Sequence, residues 1–83
     1  MHPLRNILNK LIWDERESLE DYEIIYVHRG AEGGLRRLRA SRIAKVGKSW
    51  FSFREGEEET VIPFHRVAAV IDLKTGREVW RRR

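Results

Sequence analysis

Two His-Arg dipeptides, His28-Arg29 and His65-Arg66, each stand at the end of an apolar run, and no other residues in the chain have such clear chemical potential. An imidazole changes protonation near neutral pH, while a guanidinium is a permanent, planar fork of donors. Side by side they suit a phosphate group. In an extended strand, however, neighbouring side chains point to opposite faces, so neither pair need serve one ligand. The alternative is that each pair is structural, in a chain with thirteen arginines.

Around these pairs the charge is unevenly placed. Six acids and one base lie between Asp14 and Glu23, whereas residues 35–48 hold Arg36, Arg37, Arg39, Arg42, Lys45 and Lys48 and no acid. Acidic residues return at Glu55 and Glu57 to Glu59, and the chain ends in Arg81-Arg82-Arg83. If the fold gathers the basic segment, the His-Arg pairs and the tail on one side, they form a phosphate-binding face. Arg37, Arg39 and Arg42 are then binding candidates with His28, Arg29, His65 and Arg66. The opposing reading is that basic and acidic runs are solvated faces that pair with each other.

Composition narrows the chemistry. The 83 residues make one domain, too small to enclose a deep pocket beside its core. Any site is expected to be a surface groove. Seventeen basic against thirteen acidic residues, a formal charge of +4, favour a polyanionic partner. Arginine dominates the bases, which favours bidentate phosphate recognition. With no cysteine, disulfides, thiolate metal sites and thiol nucleophiles are excluded. Three histidines among scattered carboxylates show no metal-ligand spacing, so neither metal nor cofactor is expected. No signal peptide or run of eighteen apolar residues is present, which gives the expectation of a soluble, cytoplasmic protein without a membrane partner.

The elements that must position the candidates are legible in outline. Pro3 suits a first helical turn, and Leu4, Ile7, Leu8, Leu11 and Ile12 form one apolar stripe, predicting an N-terminal helix docked on the core. Trp13 flanks that stripe and is expected to be a packing anchor. Asn9 and Lys10 lie off the stripe, on a solvated surface. After an acidic loop, residues 22–29 alternate as a strand covered on both sides near its middle, with Ile24, Tyr26 and His28 on one face. Residues 30–34 make a turn that lacks the spacing and Lys-Ser/Thr of a P-loop.

Residues 35–40 fit a basic edge strand. Residues 41–46 are either a short helical turn or a continuation of that strand. Residues 50–54 read as a strand with Phe51 and Phe53 buried and Trp50, Ser52 and Arg54 opposite. Pro63 bends the chain after residues 60–62, presenting Phe64-His65-Arg66 at a strand junction, and residues 67–73 and 77–80 close the sheet. The expected class is α+β: an N-terminal helix packed on a mostly antiparallel sheet or small barrel of about five strands.

Four segments carry a resemblance: residues 8–14 (LNKLIWD), 26–30 (YVHRG), 62–67 (IPFHRV) and 79–80 (VW). In this order the chain resembles the small, mainly archaeal RNA cyclic group end recognition domain family. It departs from the family pattern at Glu15, where Pro often follows the Trp-Asp pair. The resemblance implies recognition of RNA ends bearing a phosphate or a 2',3'-cyclic phosphate, alongside an RNA ligase or other RNA-processing enzyme. In such a module Arg29 and Arg66 would engage phosphate oxygens, His28 and His65 would donate to phosphate or ribose, and Tyr26 or Trp50 would stack on the terminal base.

Two other functions compete. Paired histidines, His28 and His65, can open a cyclic phosphate as base and acid. The known two-histidine phosphoesterases carry Ser or Thr two residues after each His, where this chain has Gly30 and Val67. A protein-interaction or assembly domain, with both histidines structural, is the third reading.

Overall fold

The computed structural model describes residues 2–82, and for Glu32 the backbone alone. It contains one helix, α1 (Pro3–Trp13), and seven strands: β1 (Tyr22–Val27), β2 (Leu35–Arg39), β3 (Ile43–Val46), β4 (Trp50–Glu55), β5 (Glu58–Pro63), β6 (Val67–Asp72) and β7 (Arg77–Arg81). They form two antiparallel sheets, ordered β2-β1-β6-β7 and β3-β4-β5. The α+β class holds, but seven strands in two sheets replace the expected five in one. The difference arises because residues 40–46 divide into a 3-10 turn (Ala40–Arg42) followed by β3, which pairs in the second sheet instead of continuing β2. The turn carries the chain from the first sheet into the second.

Helix α1 begins as Pro3 requires. Its missing N–H falls where a helix leaves donors unpaired, and His2 caps the turn by accepting the Leu4 N–H at Nδ1, 3.1 Å away. Leu4, Leu8 and Leu11 are buried and Ile7 and Ile12 half-buried, so the apolar stripe docks on the core. Trp13 does not: it is 80% exposed. It follows Leu4 by about two and a half turns and therefore projects from the opposite face. The helix ends at Asp14, whose carboxyl is held below its usual range by hydrogen bonds from Arg16.

The two sheets and α1 enclose one core, with Ile24, Phe51, Val67 and Val70 fully buried. β1 is covered on one face only: Tyr22, Ile24 and Tyr26 are buried, whereas Glu23 and Ile25 are half-exposed and Val27 is exposed. The strand also stops at Val27, two residues short of the expected end. In β4, Ser52 is buried between Phe51 and Phe53 rather than facing solvent. The half-buried Trp50 lays its indole over Gly47, where a Cβ would come within 2.3 Å of the ring, so Trp50 is a packing residue and position 47 excludes a side chain.

The acidic segment 14–23 is held down by the first sheet. Glu23 pairs with Arg37 at 2.9 Å, Glu20 lies 3.7 Å from Arg39, and Asp21 lies 3.5 Å from Lys74. The Tyr22 ring is buried and its hydroxyl donates to Glu17. That bond first, then burial, then the neighbouring carboxylates, push the phenol up from 10.0 to about 12. A folded-state value above the unfolded one means that this stabilisation is complete below about pH 10 and is lost as pH rises through 12. Tyr22→Phe is therefore expected to be about 1–2 kcal/mol less stable at pH 8 and to lose less than the wild type on raising the pH through that window. Urea melts across the range check it, and parallel losses in both proteins would rule the bond out as their cause.

Among the described residues no helix is long and apolar enough to cross a membrane.

Candidate RNA-end site

The two His-Arg motifs meet because of strand pairing. β1 and β6 are antiparallel neighbours with Tyr26 opposite Val67, so the residues that leave the end of β1 lie beside those that enter β6. The leaving residues are His28 and Arg29. The entering ones are His65 and Arg66, on the 3-10 turn Phe64–Arg66 that follows Pro63. Val27, His28, Arg29, Gly30, His65 and Arg66 together line one open groove of about 530 Å3.

Each motif is fixed by its own local structure. The His28 N–H donates to the Gly34 carbonyl at 2.9 Å, and the His28 carbonyl accepts from Ala31 at 3.1 Å. Leaving the strand at Val27 frees His28 and Arg29 from the strict alternation of faces that would have separated them. The Gly30 N–H donates to His28 Nδ1 at 3.3 Å, which assigns the proton of the neutral ring to Nε2, a donor available to a ligand. Tyr26 lies behind this ring, with centroids 6.4 Å apart, and beside Phe53 at 6.1 Å. At 3% exposed, Tyr26 is a core residue that backs His28 and offers no open face to a base, contrary to the stacking expectation.

At the second motif, Phe64 is buried, and its N–H bonds the Ser49 carbonyl at 2.9 Å. With Phe64 turned inward, the tight turn leaves His65 exposed and Arg66 half-buried. Arg66 Nη2 donates to the Val27 carbonyl at 2.7 Å, tying the second motif to the first and leaving further guanidinium N–H groups for a ligand. Arg82 donates through Nη1 to the His65 carbonyl, and its backbone N–H bonds Ala68 at 2.9 Å. The basic end is thus partly structured, with Arg81 in β7 and Arg82 against the turn. Arg83 lies outside the described residues.

Arg37, Arg39 and Arg42 do not join this groove. Arg39 stands opposite Glu23, five residues back along β1 from His28, or about 17 Å at strand spacing. Arg37 stands opposite Ile25, nearer the groove, but its guanidinium is engaged by Glu23, while Arg39 also donates to the Glu20 carbonyl at 2.9 Å. These two fulfil the reading in which basic and acidic runs pair. Arg42 belongs to the 3-10 turn that leads into the second sheet.

A second groove of about 750 Å3 adjoins the first through His65, which lines both. Its floor is Pro3, Phe64, Val79 and Trp80; His2, Arg81, Arg82 and Glu78 bring polar groups to it. The His2 ring lies 5.1 Å from that of Phe64 and 6.2 Å from that of Trp80, tilted about 50° to each. His2 and Trp80 are not among the binding residues expected from the sequence. A signal for His2 was present, because Pro3 in the first turn makes the preceding residue the cap and hence a fixed side chain.

Among the described residues lining the His-Arg groove there is no carboxylate, so two arginines and two histidines line one volume without a competing anion. That arrangement can hold a phosphate by charge-assisted hydrogen bonds. Residues 1–82 match the family described as the MJ1316 RNA cyclic group end recognition domain. A UPF0248 protein of Methanococcus maripaludis is 35% identical over 80 residues, covering 96% of this chain and 99% of that protein. A UPF0248 protein of Pyrococcus furiosus is 40% identical over 80 residues, covering 96% and 88% of the two chains. No solved structure matches. This chain belongs to the MJ1316 RNA cyclic group end recognition domain family.

Proposed function

We propose that the protein is an RNA-binding module for 3' ends carrying a 2',3'-cyclic phosphate or a terminal phosphate, and that it presents such ends in the cytoplasm to an RNA ligase or another RNA-processing enzyme. The observation that carries the reading is the convergence of both His-Arg motifs on one groove through the β1–β6 pairing. The family description, which names RNA cyclic group ends, supports the ligand class.

In this reading Arg29 and Arg66 take phosphate oxygens, and His28 Nε2 and His65 donate to phosphate or ribose oxygen. The terminal nucleoside lies in the adjoining groove against His2 and Trp80, since RNA modules commonly hold unpaired bases on aromatic side chains. Charge-assisted bonds contribute about 1.5–3 kcal/mol each, so four donors bring micromolar affinity, about −8 kcal/mol, within reach. Binding is favoured over hydrolysis because the positions two residues after each His are Gly30 and the buried Val67, which provide no hydroxyl.

The test is fluorescence anisotropy with one unstructured RNA ending in a 2',3'-cyclic phosphate, a 3'-phosphate or a 3'-hydroxyl, at low and moderate salt, with products checked on a gel. A preference for the phosphorylated ends that persists in salt, without turnover, is the expected result. Equal binding of all three ends that fades with salt would reduce the groove to non-specific attraction. Turnover abolished by His65→Ala would replace the binding module with a phosphoesterase.

A further inference from the structure

Away from the His-Arg groove, Trp13 is the large apolar side chain that the fold treats most unexpectedly. Arg5, Asn9 and Trp13 follow one another at i, i+4 and i+8 and so form a single row along α1. With Ile12 they face Ala44, Lys45 and Val46 of β3 across a cavity of about 460 Å3. Within it Arg5 Nε is shielded from solvent and has no hydrogen-bond partner. Lys45 is exposed, as are Arg42 before it and Lys48 after it. Among the described residues, none of these three bases has a carboxylate within ion-pair distance, unlike Arg37 and Arg39.

An exposed indole beside unneutralised cations suits a ligand that alternates flat apolar rings with negative charge. Unpaired RNA has that pattern, because every base offers a face for stacking and every linkage a phosphate. We infer that the α1–β3 groove is a second RNA contact, in which an unpaired base upstream of the bound end stacks on Trp13 and its backbone phosphates meet Arg5 and Lys45. The two sites are connected along the helix: His2, at its start, lines the groove shared with His65, and Trp13 lies about 16 Å further on at helical rise. A strand that left the terminal groove along α1 would pass Arg5 and Asn9 before reaching the indole. Lys45, which does not line the terminal groove, thereby acquires a role distinct from end recognition.

The inference is independent of end chemistry, so the experiment separates the two. Anisotropy competition would compare a dinucleotide with an unstructured strand of about twelve nucleotides, within the size single-strand grooves occupy, each made with a cyclic phosphate and with a 3'-hydroxyl. The longer strand is expected to bind about tenfold tighter than the dinucleotide, from one stacked base and its phosphates. Trp13→Ala should remove most of that advantage for both end groups, leaving dinucleotide affinity and end preference unchanged. Trp13→Phe should keep part of it, and Lys45→Ala should lower the salt dependence. Trp13 is exposed, so these variants keep the core.

Longer-strand affinity within twofold of wild type in Trp13→Ala would overturn the inference, as would capture of an acidic peptide at this groove with no competition from RNA. Loss of end preference in the wild type, with the Trp13 effect intact, would instead overturn the terminal-groove reading alone.

Discussion

His28→Ala and Arg66→Ala are each expected to weaken binding of a phosphorylated RNA end by about tenfold to a hundredfold, the loss of one charge-assisted hydrogen bond. The double variant should lose less than the product of the two. Both side chains line one groove, and Arg66 also donates to the carbonyl of Val27, the residue before His28. Groups that share a ligand and a hydrogen-bond network couple by about 0.5–3 kcal/mol, whereas distant sites add. The appropriate controls are Arg37→Ala and Arg39→Ala, which do not line the groove and are already engaged by Glu23 and Glu20. Their effect is expected to stay within about twofold and to vanish in moderate salt. Anisotropy titrations of the four single variants and the double give the cycle directly. Small, strictly additive losses from His28 and Arg66, no larger than those from Arg37 and Arg39, would mean that the convergence serves no common ligand. Because Arg66→Ala also leaves the Val27 carbonyl without this donor, thermal melts must accompany the titrations.

Phe64→Ala is expected to cost about 3–5 kcal/mol of stability, the usual range for emptying a buried aromatic position. Phe64 is 2% exposed, belongs to the core cluster and packs near the His2 ring that caps α1. In a protein whose total stability is about 5–15 kcal/mol, that loss takes a large share, and the melting temperature should fall by more than about 12 °C. Phe64→Leu keeps most of the buried volume and should cost about 1–1.5 kcal/mol. Because Phe64 sets the turn on which His65 stands, this milder variant should remain folded yet bind the RNA end several-fold more weakly. Urea melts and the same titrations check both. A Phe64→Ala protein as stable as wild type would show that the turn is not anchored by this ring.

The difference between these residues illustrates what could be read before folding. The apolar stripe of α1, Pro3 at its start, and the inward Phe51 and Phe53 were legible, because the geometry of a helix or strand fixes which spacing faces the core. The flank of the stripe reads as a packing position for Trp13, but nine residues beyond Leu4 are about two and a half turns, which puts the indole on the solvent face. The strand count fell short because the 3-10 turn Ala40–Arg42 has no strong local marker and divides what reads as one basic edge strand. An aromatic ring on the same strand face as His28 reads as a stacking platform, but the second sheet covers Tyr26 with Phe53.

The α+β class, the helix and its buried face, the identity of both His-Arg motifs and the membership of the family were legible in the chain before folding, since these depend on local spacing and residue chemistry. Which basic residues line one groove depended on the tertiary fold. The antiparallel pairing of β1 with β6 brought His28-Arg29 and His65-Arg66 together from 37 positions apart, while the pairing of β1 with β2 set Arg37 and Arg39 against Glu23 and Glu20 of the acidic segment. Strand order and register are long-range choices made by burial of whole faces, and no window of sequence contains them.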